Sequence, residues 1–456
     1  SFPEDATEKA KDLVRMAVAR AGTLEPLKDM AFEVNQKGLV IGGGLSGMTA
    51  ALSLAEQGFE TYLVEKEAEL GGNLRRIKST LSGERVEDRL KALIEQVERE
   101  EKITIYKQAE VIGFSGHVGK YKTTITLNGK NIDLEHGAVI IATGGVEYQP
   151  QEYLYGQDSG VVTQKEFEEK LYKGDITRGL VKEVVMIQCV GSREEGAMFC
   201  SRVCCSGAIK NALILKEIDP QINVTILFRD IRTYAFSELF YRKAREKGIM
   251  FVRFDLDRRP VAEKADGRIR VKAFDEVIGR EIEFDPDYLV LSAGIRPNPL
   301  SEELSTRLKV PLTVDGFYLE AHMKLRPLDF SNEGMYLCGL AHSPKLIGES
   351  IAQARGAAAR AATILSKKEL LIGGMISVVD KERCAACLTC VRECPFDVPV
   401  ITEEGVAWIE PASCQGCGIC ASACPRKAID LQNYKDSQVI SKCEVLFDTI
   451  DAALGA

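Results

Sequence analysis

The chain has 456 residues, of which 45% are hydrophobic and 28% are charged, and its formal net charge is −8. This length is more than one hydrophobic core usually serves, so we expect two to four domains. The acidic balance excludes the basic surface that binds nucleic acid, and the lack of any apolar run of about 18 residues excludes a membrane-spanning helix.

The N-terminal segment is charged and rich in alanine. Apolar residues recur at helical spacing between residues 5 and 32 and predict one amphipathic helix, with a solvated arm as the alternative. The apolar positions are Ala10, Leu13, Val14, Ala17, Val18 and Ala21. We therefore assign residues 1–36 to an N-terminal helical arm.

A glycine-rich turn follows the arm. A short apolar strand leads into Gly42-Gly-Gly44-Leu-Ser-Gly47, an alanine-rich helix comes next, and a second strand ends in Glu65. The glycines allow a tight turn and let a pyrophosphate approach the N-terminus of the helix, while the acid accepts from a ribose hydroxyl. This order of elements predicts a dinucleotide-binding site.

Four cysteines lie in the middle of the chain, between a predicted strand at 184–189 and a predicted helix at 208–217. Such a junction usually carries a glycine-rich phosphate loop, but thiols replace the glycines here. A strand predicted at 223–228 continues the βαβ order. Four thiolates within 17 residues suit an iron–sulfur cluster, with a redox disulfide and scattered core thiols as the alternatives. The four residues are Cys189, Cys200, Cys204 and Cys205.

Three further strands end in glycine, at Gly144, Gly294 and Gly339, and the last precedes a helix predicted at 350–365. With the glycine-rich turn, this pattern resembles the two-dinucleotide-domain flavoproteins of the thioredoxin reductase family. In that family the first glycine-rich motif binds FAD. The resemblance implies that FAD is bound by residues from both segments of the first domain. They are Gly42, Gly44, Gly47, Glu65, Lys66, Gly72, Val111, Thr143, Gly144, Gly339 and Gln353.

The departure from that family lies in the second dinucleotide domain. The family's second glycine-rich motif, which binds NAD(P)H, should follow the strand at 184–189, where the cysteines stand instead. We therefore expect an α/β fold of two Rossmann-like domains, the second with a cysteine site in place of its nicotinamide site. The FAD-binding domain takes residues 37–155 and 288–368, and the inserted domain takes residues 156–287.

Two cysteine runs of identical spacing stand near the end of the chain. Each reads Cys-x2-Cys-x2-Cys-x3-Cys-Pro, and the second begins 30 residues after the first. This is the two-cluster ferredoxin pattern, in which the fourth cysteine of each run serves the other cluster; zinc is the weaker alternative. The predicted [4Fe-4S] ligand sets are Cys384, Cys387, Cys390 and Cys424 for one site, and Cys414, Cys417, Cys420 and Cys394 for the other.

The composition of the chain changes near residue 368, shortly before the first of these cysteine runs begins. We place a small α+β bacterial-type ferredoxin domain at residues 369–436, beginning with a linker at 370–375. Residues 437–456 are assigned to a C-terminal tail.

The whole constellation resembles the A subunit of heterodisulfide reductase over nearly the full chain. Its most specific motif is the central cysteine run, with Cys-Val-Gly-Ser-Arg and Cys-Ser-Arg-Val-Cys-Cys. The resemblance implies that these four cysteines hold a third [4Fe-4S] cluster near FAD and that Lys210 stands beside the flavin N5. Family members typically carry an additional N-terminal cluster domain and often a ferredoxin insertion after the segment at Gly72, whereas no cysteine precedes Cys189 here.

In that family FAD is the site of flavin-based electron bifurcation, so the resemblance implies an oxidoreductase subunit with FAD and three [4Fe-4S] clusters. The implied partners are other heterodisulfide reductase-like subunits, an electron-donating hydrogenase or formate dehydrogenase module, and ferredoxin, with the oligomeric state open, a dimer included. A relay subunit without bifurcation is the competing hypothesis. A reductase of the glutamate synthase small-subunit type would need a second glycine-rich motif, which is absent. The grouped cysteines and the lack of a secretory signal predict a reducing, cytoplasmic location.

Overall fold

A computed structural model describes residues 3–27, 29–372 and 374–454. The chain divides into two compact units. The small unit takes residues 1–34, 116–119 and 367–456, and the large unit takes residues 35–115 and 120–366. Both Rossmann-like domains therefore lie in the large unit, and the N-terminal segment groups with the ferredoxin domain.

Helices occur along the whole described part of the chain. In chain order they are α1 (Pro3–Ala21), α2 (Leu45–Ala55), α3 (Val86–Arg99), α4 (Gln164–Lys173), α5 (Cys204–Ile218), α6 (Glu238–Glu246), α7 (Ser301–Leu308), α8 (Ile347–Leu365), α9 (Thr389–Glu393), α10 (Ile419–Ala423) and α11 (Asp436–Leu454). Across the described part of the chain, no helix combines the length and the apolar content that crossing a membrane requires.

The strands are short, and two five-stranded parallel sheets form the centre of the large unit. They are β1 (Met30–Glu33), β2 (Gly38–Ile41), β3 (Thr61–Glu65), β4 (Ile103–Lys107), β5 (Ala109–His117), β6 (Lys120–Leu127), β7 (Lys130–His136), β8 (Ala138–Ile141), β9 (Gly145–Glu147), β10 (Val161–Thr163), β11 (Glu183–Val190), β12 (Asn223–Phe228), β13 (Met250–Arg253), β14 (Val261–Ala265), β15 (Arg268–Asp275), β16 (Arg280–Phe284), β17 (Tyr288–Ala293), β18 (Ile295–Pro297), β19 (Met335–Leu337), β20 (Glu369–Ile372), β21 (Ser377–Val379), β22 (Pro399–Ile401), β23 (Ala407–Ile409) and β24 (Ile429–Leu431).

The first sheet of the large unit runs β19-β8-β2-β3-β4, with every neighbouring pair parallel. β2 and β8 are buried at every position, as central strands covered on both faces are. Helix α2 follows β2 and helix α8 follows β19, so both helices begin at the carboxyl edge of the sheet. Their alanine-rich faces belong to one core, because small side chains let the two helices approach closely.

The second sheet runs β10-β17-β11-β12-β13 and is also parallel. It confirms the strands predicted at 184–189 and 223–228, and with the first sheet it confirms the two Rossmann-like domains. Helix α5 begins at Cys204, one turn before the predicted start at residue 208. Two of the four central cysteines therefore lie in the first turn of a helix.

The small unit contains the ferredoxin domain, whose two halves are related by the 30-residue repeat. Helices α9 and α10 are equivalent, and the strands pair across the halves: β21 with β24 and β22 with β23, both antiparallel. Because each half completes the other's sheet, the fourth cysteine of each run is carried toward the opposite half. This is the architecture that the repeated spacing predicted.

Two predictions at the ends of the chain were wrong. The helix predicted to residue 32 ends at Ala21, and the linker predicted at 370–375 begins with strand β20. β1 and β20 pair antiparallel, with Phe32 opposite Leu370. Each strand has four residues and a partner at the far end of the chain, so no local periodicity reveals the pair. The segment predicted as a tail forms helix α11 as far as Leu454.

Candidate functional site

The glycine-rich turn lies at the carboxyl edge of the first sheet and is tight on its inner side. Gly42 has a φ of +109°, and a Cβ there would overlap the carbonyl group of Ala142. A Cβ on Gly47 would overlap the Gly42 carbonyl oxygen, so α2 can start against the turn only with glycine at this position. A Cβ on Gly44 would meet nothing within 4 Å. The outer side of the turn is therefore open for a phosphate at the N-terminus of α2, where N–H groups favour an anion.

The acid predicted to bind a ribose, Glu65, is buried and held in place by the backbone. One carboxylate oxygen accepts from the N–H of Gly43 at 2.6 Å, and the other accepts from the N–H of Glu67 at 2.8 Å. A carboxylate has about four acceptor positions, so two remain for ribose hydroxyls. The acid, the open turn and the helix N-terminus stand together and fit a dinucleotide.

Other residues predicted to bind the flavin lie against the same turn. A Cβ on Gly72 would stand 3.4 Å from the Cα of Gly44, and the Cα of Thr143 would be 3.1 Å from a Cβ on Gly42. Gly144 has open space where a side chain would point. These backbone segments line the carboxyl edge of the sheet without side chains in the way of a ligand.

Two further residues predicted to bind FAD are placed differently. Lys66 is exposed, and its ammonium lies 3.7 Å from the Glu67 carboxylate. Val111 on β5 is buried, and its carbonyl accepts from the guanidinium of Arg307. A contact of either residue with FAD remains a prediction.

The segment between β19 and α8 packs against the start of α2. A Cβ on Gly339 would overlap the side chain of Ser46 in the first turn of α2. The Gly339 N–H donates to Gln353 Oε1 at 2.8 Å, and Gln353 Nε2 lies 2.7 Å from His342 Nδ1. His342 Nε2 lies 3.0 Å from the carboxylate of Glu320. This chain of contacts fixes the side chain of Gln353, a predicted flavin residue within α8, against the segment that follows β19.

Sequence reasoning missed a buried lysine at this helix start. Lys345 donates to the carbonyls of Gly339 and Ser343, both at 2.6 Å, and burial lowers its pKa to about 8. A cation at a helix N-terminus opposes the helix dipole, so the arrangement suits a place where an anion also binds. The only signal in the sequence was a lysine immediately before the glycine- and alanine-rich helix.

The central cysteine segment starts where strand β11 is broken. Cys189 has a φ of +63°, and the pairing of β11 with β17 shifts register between Ile187 and Val190. Arg193 and Arg202, in the same segment, also have positive φ values of 60° and 59°. Left-handed backbone costs a non-glycine residue of the order of 1–3 kcal/mol and concentrates at ligand sites.

The two cysteines in the first turn of α5 contact the ends of the two strands that flank β11. Cys204 Sγ donates to the carbonyl of Ala293, the last residue of β17, at 3.7 Å. Cys205 Sγ donates to the carbonyl of Asp230, just after β12, at 3.7 Å. Both thiols are therefore at the carboxyl edge of the second sheet.

The other two cysteines accept hydrogen bonds from arginines, one from a backbone N–H and one from a guanidinium. Cys200 Sγ accepts from the N–H of Arg202 at 3.3 Å, and an N–H of Arg193 donates to Cys189 Sγ at 4.0 Å. Arg193 is held by Asp230 at 2.6 Å. Donors and cations directed at sulfur stabilise thiolates, whether free or bound to metal.

Burial and mutual proximity raise the pKa values of three of these thiols. Burial raises the pKa of Cys189, raises that of Cys205 to about 11, and raises that of Cys204 well above its usual range. The neighbouring thiolates raise all three further, which places the four sulfurs within electrostatic range of one another. One of the four cysteines is buried and three are partly buried. Thiolates gathered in such a site need cationic ligands, and the irons of a cluster would supply them, so the residues fit an iron–sulfur cluster.

Within the described residues, no three His, Cys, Asp or Glu side chains stand at the spacing of ligands to one metal ion. A [4Fe-4S] cluster takes one cysteine on each of four irons and so holds its cysteines further apart than a single ion does.

Lys210, implied to stand beside the flavin, has a different immediate partner. Its ammonium is buried and donates to Glu168 Oε1 at 2.6 Å and to the carbonyl of Ser79 at 3.0 Å. Glu168 also accepts from the N–H groups of Lys78 and Ser79. Burial lowers the pKa of Lys210, and Glu168 raises it. The contacts join α5, α4 and the segment 78–79, and a role of Lys210 toward FAD remains a prediction.

In the small unit, both predicted ferredoxin ligand sets are brought together. Cys384, Cys387, Cys390 and Cys424 line one cavity. Burial raises the pKa of Cys420, and the thiolates that raise it further are Cys414, Cys394 and Cys417. The exchange of the fourth cysteine between halves is therefore present in the fold.

Comparisons with known proteins agree with this architecture. Residues 36–358 match the family of pyridine nucleotide-disulphide oxidoreductases, and residues 383–429 match the 4Fe-4S dicluster domain. The solved structure of thioredoxin reductase from Lactococcus lactis shares the fold, with a TM-score of 0.51 at 20% identity over 72% of this chain and 99% of that one.

Curated relatives extend the match over nearly the whole chain. The A subunit of the H(2):CoB-CoM heterodisulfide,ferredoxin reductase of Methanothermobacter marburgensis is 35% identical over 97% of this chain and 81% of the relative. The A subunit of the Ferredoxin:CoB-CoM heterodisulfide reductase of Methanosarcina acetivorans is 30% identical over 98% of this chain and 71% of the relative. The first alignment runs over 537 positions, more than the 456 residues of this chain, so that relative has inserted residues within the aligned region.

The fold, the dinucleotide site, the ferredoxin domain and these relatives all indicate the same family. The chain is an FAD- and [4Fe-4S]-containing electron-transfer oxidoreductase, and it belongs to the family of heterodisulfide reductase A subunits.

Proposed function

We propose that this chain carries FAD and three [4Fe-4S] clusters and is the subunit of a heterodisulfide reductase-like complex in which electrons are bifurcated at the flavin. The observation that carries the proposal is the four-cysteine site at the carboxyl edge of the second sheet. In a parallel sheet with crossover helices, ligands bind at this edge. Because thiols stand there instead of a glycine-rich loop, the flavin exchanges electrons with a cluster rather than with a nicotinamide.

Bound FAD supplies the ability to exchange electrons both in pairs and singly. The residues of the chain bind the cofactor and place charge around it. The open turn around Gly44 receives the pyrophosphate, and Glu65 accepts from the ribose. Lys345 and the N-terminus of α8 place positive charge where the reduced ring would be negative, which stabilises the reduced state.

The partners follow from the names of the relatives. The Methanothermobacter protein is named for one donor, hydrogen, and two acceptors, a heterodisulfide and ferredoxin. Distribution of electrons from one donor to two acceptors is what bifurcation achieves. We therefore propose that this chain works with other heterodisulfide reductase-like subunits, a hydrogenase or formate dehydrogenase module as donor, and ferredoxin as one acceptor.

Cluster content is the first test. Three sites with four cysteines each predict about twelve iron atoms per chain, with an equal amount of acid-labile sulfide. We expect this value in protein purified without oxygen, alongside one FAD. A value near eight in fully loaded protein would remove the central cluster from the proposal.

Coupling of the two acceptors is the second test. In the complete complex under anaerobic conditions, bifurcation predicts that ferredoxin is reduced only while the heterodisulfide acceptor is also present, with equal numbers of electrons going to each. If reduction of the heterodisulfide proceeds at full rate while ferredoxin stays oxidised, the subunit is a relay.

A further inference from the structure

The large unit contains a buried ammonium group that has no hydrogen bond. Lys165 Nζ is inaccessible to solvent and makes no hydrogen bond, and among the described residues it is the only lysine nitrogen in this condition. Its ion-pair partner, the Glu147 carboxylate, lies 3.7 Å away. The other buried lysines are satisfied: Lys210 by Glu168, Lys345 by two carbonyls, and Lys216 by the carbonyls of Pro220 and Ile222. Burying a charge without hydrogen bonds is costly, so this ammonium can take a further acceptor besides its ion pair with Glu147.

The backbone places Lys165 at the same sheet edge as the central cysteines. It is the second residue of α4, and β10 ends two residues before it, at Thr163. Thr163 pairs with Leu291 of β17, and Leu291 pairs with Ile187 of β11, just before Cys189. The strands are parallel, so their carboxyl ends share one edge, with only β17 between Lys165 and the cysteine segment.

The nearest cysteine to consider is Cys204. Its thiol already reaches across to β17, where it donates to the carbonyl of Ala293. As a thiolate, Cys204 would raise the pKa of Lys165, so the two groups lie within electrostatic range. Thr163 at the end of β10 pairs with Leu291, two residues before Ala293, so Lys165 and the carbonyl that Cys204 contacts stand at the ends of neighbouring strands.

The other charged groups around Lys165 make no hydrogen bond to it. The Glu147 carboxylate lies 3.7 Å from the ammonium, too far for a hydrogen bond, and Arg76 also faces it. Burial lowers the pKa of Lys165 and raises that of Glu147. One distant carboxylate and one competing cation leave the N–H donors of the ammonium without an acceptor.

We infer that Lys165 is a positioning residue of the central cysteine site, whose ammonium lies beside Cys204 and stabilises the negative charge that a cluster there gains on reduction. This inference rests on the central cluster proposed above. Reduction adds one electron to the cluster, and a fixed cation at close range in a dry site favours that state. The residue therefore sets the reduction potential without ligating iron.

The test compares Lys165→Met with the unmodified protein, each with FAD and clusters bound. Methionine keeps the apolar stem and removes the charge. In an anaerobic titration followed by electron paramagnetic resonance, the central cluster is the signal that Cys204→Ala lacks. We expect its reduction equilibrium constant to fall about tenfold or more in Lys165→Met, which is 59 mV for one electron.

Two further variants serve as controls. Lys165→Arg keeps the charge and should keep the potential close to that of the unmodified protein. Lys216→Met removes a buried lysine from the opposite end of α5, twelve residues or about 18 Å from Cys204, and should leave the signal unchanged. If Lys165→Met does not retain its cluster, Lys165→Gln is titrated in its place.

The possible failures are distinguishable. About eight irons in the unmodified protein, with no signal missing from Cys204→Ala, would remove the central cluster itself. About twelve irons with an unchanged potential in Lys165→Met would overturn only the role of Lys165. A shift of the flavin potential without a shift of the cluster potential would also overturn it, because the ammonium would then serve FAD.

Discussion

The central cysteine site and the ferredoxin domain each bring four thiols together, by different means. In the ferredoxin domain three of the four cysteines lie within seven residues, and the turns between them are repeated. The left-handed positions recur at 30-residue spacing: Ala386 and Gly416, then Leu388 and Gly418. Local backbone geometry accounts for most of each ligand set.

At the central site the thiols come from a strand end, a strained segment and the first turn of a helix. Cys204 and Cys205 are oriented by strands β17 and β12, which are distant in the sequence. The site therefore depends on the whole second sheet, whereas each ferredoxin site depends on short turns and one exchange between halves. The difference predicts where substitutions act locally and where they act through the fold.

The largest expected effect is loss of a whole cluster at the central site. Cys204→Ala should lower the iron content from about twelve to about eight atoms per chain, since one of three four-iron sites loses a ligand. FAD should stay bound, because the glycine-rich turn belongs to the first sheet. Iron, sulfide and flavin analysis of anaerobically purified protein checks this. Loss of all flavin would show that the two sheets are not independent.

A backbone clash should produce the next largest effect, in the ferredoxin domain. A Cβ on Gly416 would overlap the carbonyl oxygen of Met375, and its φ of +64° adds about 1–2 kcal/mol for any other residue. Gly416→Ala should therefore disrupt the second ligand set and lower the iron content, with the flavin retained. Ala386→Gly, at the equivalent position of the first run, is the control and should keep all iron. Full iron in Gly416→Ala would mean that the turn can relax.

The buried pair at Lys210 should matter for stability. Lys210→Met leaves Glu168 buried without its partner, which typically costs about 3–5 kcal/mol. A clear fall in the midpoint of thermal unfolding would show it. Lys173→Met, which breaks the exposed pair with Glu169 on the same helix as Glu168, should leave the midpoint unchanged. Equal midpoints in all three proteins would contradict the structural role.

The midpoint potential of the flavin tests which lysine lies beside FAD, Lys345 or Lys210. Lys345 stands at the N-terminus of α8, so Lys345→Met should lower the flavin midpoint potential by tens of millivolts, at about 30 mV for a tenfold change in a two-electron equilibrium. Lys210→Met should change it less, because Glu168 already balances that charge. The reverse order in an anaerobic titration would restore Lys210 to the role that the family resemblance implied.

The smallest expected effect is no reaction at all. Without partner subunits, NADH and NADPH should not bleach the flavin at a useful rate, because the cysteine segment occupies the place of a nicotinamide site. Anaerobic stopped-flow absorbance is the measurement. Rapid bleaching by either nucleotide would return the second sheet to nicotinamide binding.

Much of the site could be predicted from short-range patterns. The spacing of the ferredoxin cysteines, the Gly42 to Gly47 turn and Glu65 each depend on residues close in sequence, and their geometry follows from local backbone constraints. The structure brings the cysteines of the first ferredoxin set together, and it places Glu65 on the glycine-rich turn. The strand before Cys189 was also readable, since a buried parallel strand is a continuous apolar run.

The remaining features were decided by contacts between distant parts of the chain. Nothing near Lys210 in the sequence indicates Glu168 as its partner, and nothing near Met30 indicates pairing with β20. Cys189 takes a left-handed conformation where the register of β11 against β17 shifts. The ammonium of Lys165 is buried without a hydrogen bond only because α4 begins at the cysteine edge. Burial and partner choice depend on how sheets and helices pack, and a one-dimensional pattern carries local preference but not the identity of a distant neighbour.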